Sequence, residues 1–235
     1  MVAWCHVSTV LTERNERDGS MTDIIEHETV EELAVVPGFT VAAHTLRDML
    51  TAGLLAAGKD NTLPTLASVR LEWSEHELRV VATDRYRLMV ASANTDERNK
   101  YVNAGDGEVL INHKDAADLV KALPKANRNG AHELVRVSVV AGSVLIEGNG
   151  WSRSLTVLIG EFPKYRSLIP TEYAPVDNVA YNPKFLADIG KIPVDKGTPV
   201  RFRFVSESRP MVAFLDGANG VSEYMYMLMP VRIAK

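Results

Sequence analysis

Cysteine is almost missing: Cys5 is the only one in 235 residues. That excludes a disulfide framework and any cysteine-based metal cluster, and it fits a reducing cytoplasm. Long apolar runs are missing too. None approaches the roughly 18 residues that a membrane-spanning helix needs, and no basic-then-apolar leader is visible at the start. His44, His76, His113 and His132 are scattered without metal-ligand spacing. No nucleophile stands at a recognisable distance from a base. The segment Gly53-Leu-Leu-Ala-Ala-Gly58-Lys59-Asp60 nearly spells a phosphate-binding loop. Asp60 stands where a magnesium-binding Ser or Thr belongs, however, and the segment ends a helix instead of opening one. Glu72, Glu75 and Glu77 sit at a turn between strands and read as a solvated hairpin. The expectation is a non-enzyme with no cofactor, no metal, no catalytic residue and no membrane partner, in the cytoplasm.

A basic excess is also lacking, since the net charge is −4. The acidity is local. Residues 1–37 hold Arg14 and Arg17 against Glu13, Glu16, Asp18, Asp23, Glu26, Glu28, Glu31 and Glu32. That arm has the charge density of a disordered segment, with a short acidic helix over 22–35 ended by Pro37-Gly38 as the structured alternative. Residues 38–235 are slightly basic.

What is present is a repeat. Residues 40–43 read as a strand and 45–57 as a helix, with Leu46, Met49, Leu50 and Leu54 on one face and Gly58 ending it. Strands follow at 66–73, 77–84 and 87–93. The order returns with a strand at 108–111, Asn112 as N-cap and a helix carrying Ala116, Leu119, Val120 and Leu123. Strands near 134–140, 143–148 and 152–159 complete it. It returns again with a strand ending at Asn182, Pro183 at the first helical position, and Phe185, Leu186, Ile189 and Ile192 lining the helix. Strands near 199–206, 210–216 and 222–233 end the chain. The fold class is therefore α+β, a β-α-β-β-β unit used three times. Two units can bury their helices against joined sheets, so three units predict one complete domain (38–170) and one half domain (171–235).

Three segments carry a family resemblance. Val80-Val81-Ala82-Thr83-Asp84-Arg85-Tyr86-Arg87-Leu88, Phe162-Pro163-Lys164-Tyr165-Arg166-Ser167-Leu168-Ile169-Pro170 and Tyr226-Met227-Leu228-Met229-Pro230-Val231-Arg232-Ile233 occur in this order on the repeat. Together they resemble the bacterial DNA polymerase III beta sliding clamp family over about residues 38–233. The resemblance covers the clamp's middle domain and the second half of its last one, and it implies the DNA-clamp fold, with antiparallel sheets outside and helices on one face.

In that family the three segments converge on an apolar cleft for polymerase and repair-factor peptides. The resemblance places Thr83, Arg85, Tyr86, Arg87, Leu88, Pro163, Leu168, Leu228, Met229, Pro230, Val231, Arg232 and Ile233 in it. Leu, Met, Val and Pro give an adaptable floor, and Arg87 and Arg232 can orient a peptide by hydrogen bonds. Arg85 stands where the family usually has Gly, and Tyr86 where it often has His. Clamp helices face the DNA backbone, which here implicates Arg47, Lys59, Lys114, Lys121, Lys125, Arg128, Lys184 and Lys191. Asp84, beside Arg85 and Arg87, reads as one half of a structural ion pair.

The resemblance implies a replication processivity factor that binds double-stranded DNA and clamp-motif peptides as a homo-oligomer. A tetramer would supply the twelve units of a ring, and a two-fold dimer of half domains would make half of one. A clamp-fold transcription regulator or scaffold acting as an open dimer, and a decoy of another clamp, use the same surfaces.

Overall fold

The structure, a computed structural model, describes residues 35–94, 102–103, 105–126 and 133–232. The expected helix over 22–35 lies outside the described residues except for Val35. That residue opens a strand, β1 (Val35–Ala42). Pro37-Gly38 therefore ends no helix at Val35. It sits inside β1, where the register with the neighbouring strand shifts between Val36 and Phe39. A Cβ on Gly38 would fall 1.8 Å from the Val137 carbonyl oxygen, so only glycine allows the two backbones this close.

Unit one continues with α1 (Ala43–Ala56), β2 (Ser68–Trp73), β3 (Glu77–Thr83) and β4 (Arg87–Asn94). A short β5 (Val102–Asn103) precedes unit two, which comprises β6 (Gly107–Asn112), α2 (His113–Ala122), β7 (Leu134–Val140), β8 (Ser143–Gly148) and β9 (Trp151–Thr156). Unit three has α3 (Pro183–Leu186), running into a 3-10 turn at Ala187–Lys191, then β10 (Arg201–Arg203), β11 (Met211–Asp216) and β12 (Glu223–Leu228). Helix N-caps fall at Ala42, Asn112 and Asn182, 70 residues apart each time. Asn112 and Asn182 each accept from the backbone N–H two residues on, satisfying a donor that the helix leaves unpaired.

The units exchange their first strands. One sheet runs β5-β1-β7-β8-β9, so unit one's first strand completes unit two's sheet. The other runs β10-β11-β12-β4-β3-β2-β6, so unit two's first strand caps unit one's sheet. The same seven-stranded sheet continues into unit three through the antiparallel pair β4–β12, with Leu88 opposite Met227 and Arg87 opposite Leu228. The strand expected to end at Asn182 does not form. Among the described residues, the bridge Ala180–Val231 is what the segment makes in its place.

Side chains alternate across the seven-stranded sheet. One face meets α1, with Leu46, Met49, Leu50, Val80, Met89, Tyr224 and Tyr226 in the main core. Full burial of each such aliphatic side chain contributes about 1.5–3 kcal/mol. The other face carries Val81, Leu88, Val90, Leu110, Val212, Met225 and Met227 under Phe162 and Tyr165. Among the described residues, no helix is long and apolar enough to cross a membrane.

Candidate partner cleft and nucleic-acid interface

The segment after β9 crosses the outer face of the seven-stranded sheet and is fastened there by Glu72. The Tyr165 hydroxyl donates to Glu72 Oε2 at 2.9 Å and Arg166 does so at 2.6 Å, while Arg70 Nε lies 2.6 Å from Oε1. Burial, with the Glu72 carboxylate beside it, pushes the Tyr165 hydroxyl up to about 12, so it remains a donor. Glu72 is only 7% exposed, which corrects its reading as part of a solvated hairpin. The fastened segment carries Pro163 and Leu168, and Leu168 is exposed.

Strand register sorts the other predicted cleft residues. Thr83, Leu88 and Met227 form a row of cross-strand partners, with Leu88 and Met227 both in the cluster beneath Phe162 and Tyr165. Met227 was not among the predicted residues, yet the two-residue period of β12 points it to this face. Leu228 points the other way and is fully buried in the main core. At the rim, the Met229 N–H donates to the Tyr86 carbonyl at 2.8 Å, and the Val231 N–H to Ala180 at 2.8 Å. Tyr86, Met229, Val231 and Arg232 are exposed, and Pro230 is half-buried. Ile233 lies outside the described residues.

The hairpin between β3 and β4 is built by Asp84. Its Oδ1 accepts from the N–H groups of Tyr86 and Arg87, both at 3.0 Å. This turn forces Arg85 to φ +77°, the left-handed region that favours glycine. A side chain there costs about 1–2 kcal/mol, partly offset by the lower unfolded-state entropy of a non-glycine residue. Arg85→Gly is expected to raise stability by roughly 0.5–1 kcal/mol. Urea unfolding midpoints of the two proteins check this.

Arg87 is not available to a peptide. Its Nε donates to Asp84 at 2.9 Å, its Nη1 pairs with Asp188 of unit three, and its guanidinium stacks 4.3 Å from the centroid of the Phe185 ring. Tyr86 stacks on the same ring at 6.3 Å. Burial pushes the Tyr226 hydroxyl up to about 12, and it donates to the Phe185 carbonyl at 3.0 Å. Arg87 thus fastens unit three to unit one, and the expected Asp84 ion pair is part of that fastening.

The basic residues divide similarly. Arg47 donates to the Val120 carbonyl at 3.2 Å and lies 3.8 Å from Asp48, tying α1 to α2. Lys121 pairs with Asp118 at 2.8 Å and Lys191 with Asp188 at 2.7 Å. Lys59, Lys114, Lys125 and Lys184 are exposed. Lys59 and Lys114 share a concavity of about 770 Å³ with Asn61, Asn112 and His113 at the start of α2. Burial and the nearby Lys59 hold the His113 imidazole below its usual range, so the neutral ring is favoured there. Arg128 lies outside the described residues. Among the described residues, no group of three or more His, Cys, Asp or Glu side chains could hold a metal ion.

The sequence profile of the DNA polymerase III beta subunit, central domain, matches residues 40–164. The beta sliding clamp of Streptomyces coelicolor is 30% identical over 189 residues, which are 74% of this chain and 47% of that protein. The DNA polymerase III beta subunit of Thermotoga maritima superposes with a TM-score of 0.68 at 18% identity, covering 92% of this chain and 71% of that one. A Pseudomonas aeruginosa sliding clamp solved with a ligand superposes at 0.69 and 17% identity, covering 91% and 71%. The two structural likenesses carry the fold alone. The chain spans about half the length of the curated relatives it matches. With the profile covering more than half of its residues, the chain belongs to the DNA polymerase III beta subunit family.

Proposed function

We propose that the chain is a non-catalytic clamp-type protein, acting in the cytoplasm as a replication processivity factor that holds duplex DNA and a partner peptide together. Residues 38–170 serve as its complete domain and 171–235 as a half domain. The observation that carries this reading is the β4–β12 junction. It brings the tail Met229–Val231 to the hairpin Asp84–Tyr86, on a sheet whose outer face bears the segment with Pro163 and Leu168. An apolar peptide would enter against Leu168, Tyr86, Met229, Pro230 and Val231, with Leu88, Met227 and Thr83 beneath it and Arg85 and Arg232 at the rim. Lys59, Lys114, Lys125 and Lys184 would meet DNA phosphates without reading sequence. The working form is a homo-oligomer.

Leu168 and Met229 are exposed, so truncating them leaves the core intact. Leu168→Ala with Met229→Ala is expected to weaken binding of an apolar clamp-motif peptide about tenfold or more, the effect expected when two interface anchors are removed. Fluorescence polarisation of a labelled peptide measures this. An affinity equal to wild type rejects the cleft.

The edge of β10, which pairs with no strand among the described residues, favours a second reading, an open dimer that binds linear duplex without being loaded and acts as a scaffold or regulator. Retention on circular but not linear DNA separates the first reading from this one.

A further inference from the structure

Among the described residues, three non-glycine positions have a left-handed backbone: Arg85 at φ +77°, Ala141 at +50° and Asn219 at +53°. Asparagine tolerates that region, and the Asn219 side chain is used inside the fold, where it donates to Asp48 at 3.0 Å. Ala141 carries only a methyl group between β7 and β8. Arg85 differs from both. It brings a long charged side chain to a turn that glycine would make without strain. Its guanidinium forms no ion pair or hydrogen bond among the described residues. Backbone strain of this kind gathers at ligand sites. Glycine is the residue the family usually has here, so the family's usual side chain could not supply this role.

The side chain has a place to act. Arg85 lines a concavity of about 460 Å³ between the end of α1, the β3–β4 hairpin and α3. Leu63, Leu66, Tyr86 and Phe185 form its apolar wall, with Tyr86 62% exposed and stacked on Phe185. Three cations, Lys59, Arg85 and Arg87, stand against two carboxylates, Asp60 and Asp84. Asp84 and Arg87 hold each other. Asp60 accepts from the Thr62 N–H at 2.9 Å and from the Thr62 hydroxyl at 2.7 Å. Lys59 and Arg85 are exposed, and Lys59, like Arg85, forms no ion pair among the described residues. The free charge is therefore positive, beside aromatic and aliphatic surface. Tyr86 connects this concavity to the cleft. Its carbonyl accepts from the Met229 N–H at the cleft rim, and the residue itself lines the concavity. A peptide lying along Met229 has only the hairpin tip to cross.

We propose that this concavity binds an acidic residue of the partner peptide, next to the apolar anchors that enter the cleft, and that Arg85 selects it. The guanidinium presents a fork of N–H donors that matches the two oxygens of a carboxylate. Lys59 adds positive potential, and the methylene stem of the acid lies on the Tyr86 ring. No carboxylate stands among the residues assigned to the cleft, so nothing in that set repels the acid. This inference rests on the peptide cleft of the proposed function and names the chemistry of its partner.

The test is fluorescence polarisation of the full chain with an apolar clamp-motif peptide made in two pairs. One pair carries two glutamates or two glutamines before the apolar anchors, the other carries them after. In one pair the glutamate form is expected to bind about tenfold more tightly than the glutamine form at low salt, with the ratio shrinking as salt rises. Arg85→Gly should bring that ratio to about one, and Arg85→Lys should keep at least a threefold preference. The glycine variant relieves the turn, and its urea midpoint verifies the fold. Equal binding of the glutamate and glutamine forms by wild type overturns the inference and leaves the cleft standing. A preference that survives Arg85→Gly overturns it too, because the acid would be read elsewhere. Loss of duplex affinity in Arg85→Gly as large as the loss of preference would assign Arg85 to the DNA surface instead. Failure of every peptide to bind removes the cleft itself, and this inference with it.

Discussion

Replacing Lys59, Lys114 and Lys125 with glutamate is expected to lower affinity for short linear duplex by about a hundredfold or more at low salt. The slope of log affinity against log salt should flatten by about 2.7, roughly 0.9 for each phosphate no longer neutralised. These three lysines are exposed, and Lys59 and Lys114 line one concavity at the start of α2. Other basic side chains are already committed: Arg47 to the Val120 carbonyl, Lys121 to Asp118 and Lys191 to Asp188. Lys121→Glu alone should therefore change affinity far less than the triple variant. Anisotropy titrations across a salt series measure both quantities, and an unchanged slope in the triple variant would remove these lysines from the DNA surface.

Arg87→Ala is expected to cost about 3–5 kcal/mol, the range for breaking a buried ion pair by removing one partner. The side chains of Asp84 and Asp188 are only 15% and 11% exposed. Lys191 still reaches Asp188, but Asp84 is left without its charged partner, and the stacking on Phe185 disappears as well. The effect should spread beyond the hairpin, because Arg87 joins β4 to the helix of unit three. A second tie, Asn219 to Asp48 at 3.0 Å, remains. Guanidinium unfolding measures the cost, and hydrogen exchange should show unit three opening before units one and two. A cost under 1 kcal/mol would mean that Arg87 does not fasten unit three.

Local features were legible because their causes are local. Asn112 and Asn182 announce helix starts by side-chain chemistry that reaches two residues. The alternation in β3 and β4 places Val80 and Val81 on opposite faces, as a pleated strand must. Long-range causes stayed hidden. Arg87 is captured by Asp188, 101 residues away, and Glu72 is buried by Arg166, 94 residues away. Neither partner can be chosen from composition or periodicity. The first strand of unit three was expected on the pattern of the other two, and pattern alone cannot reveal that, among the described residues, the segment makes one bridge to Val231 instead of a ladder. Met227 could have been found, since Leu228 and Met227 cannot face the same side of one strand.

One seven-stranded sheet, on this reading, serves two ligands from two sides, with DNA at the helices and a peptide at the junction with unit three. Simultaneous binding decides it: a labelled duplex and a labelled clamp-motif peptide are titrated together and followed by energy transfer or co-sedimentation. The expected result is a ternary complex in which each ligand binds with the affinity it shows alone, over duplexes of unrelated sequence. Mutual exclusion of the two ligands, or binding confined to one duplex sequence, would contradict it.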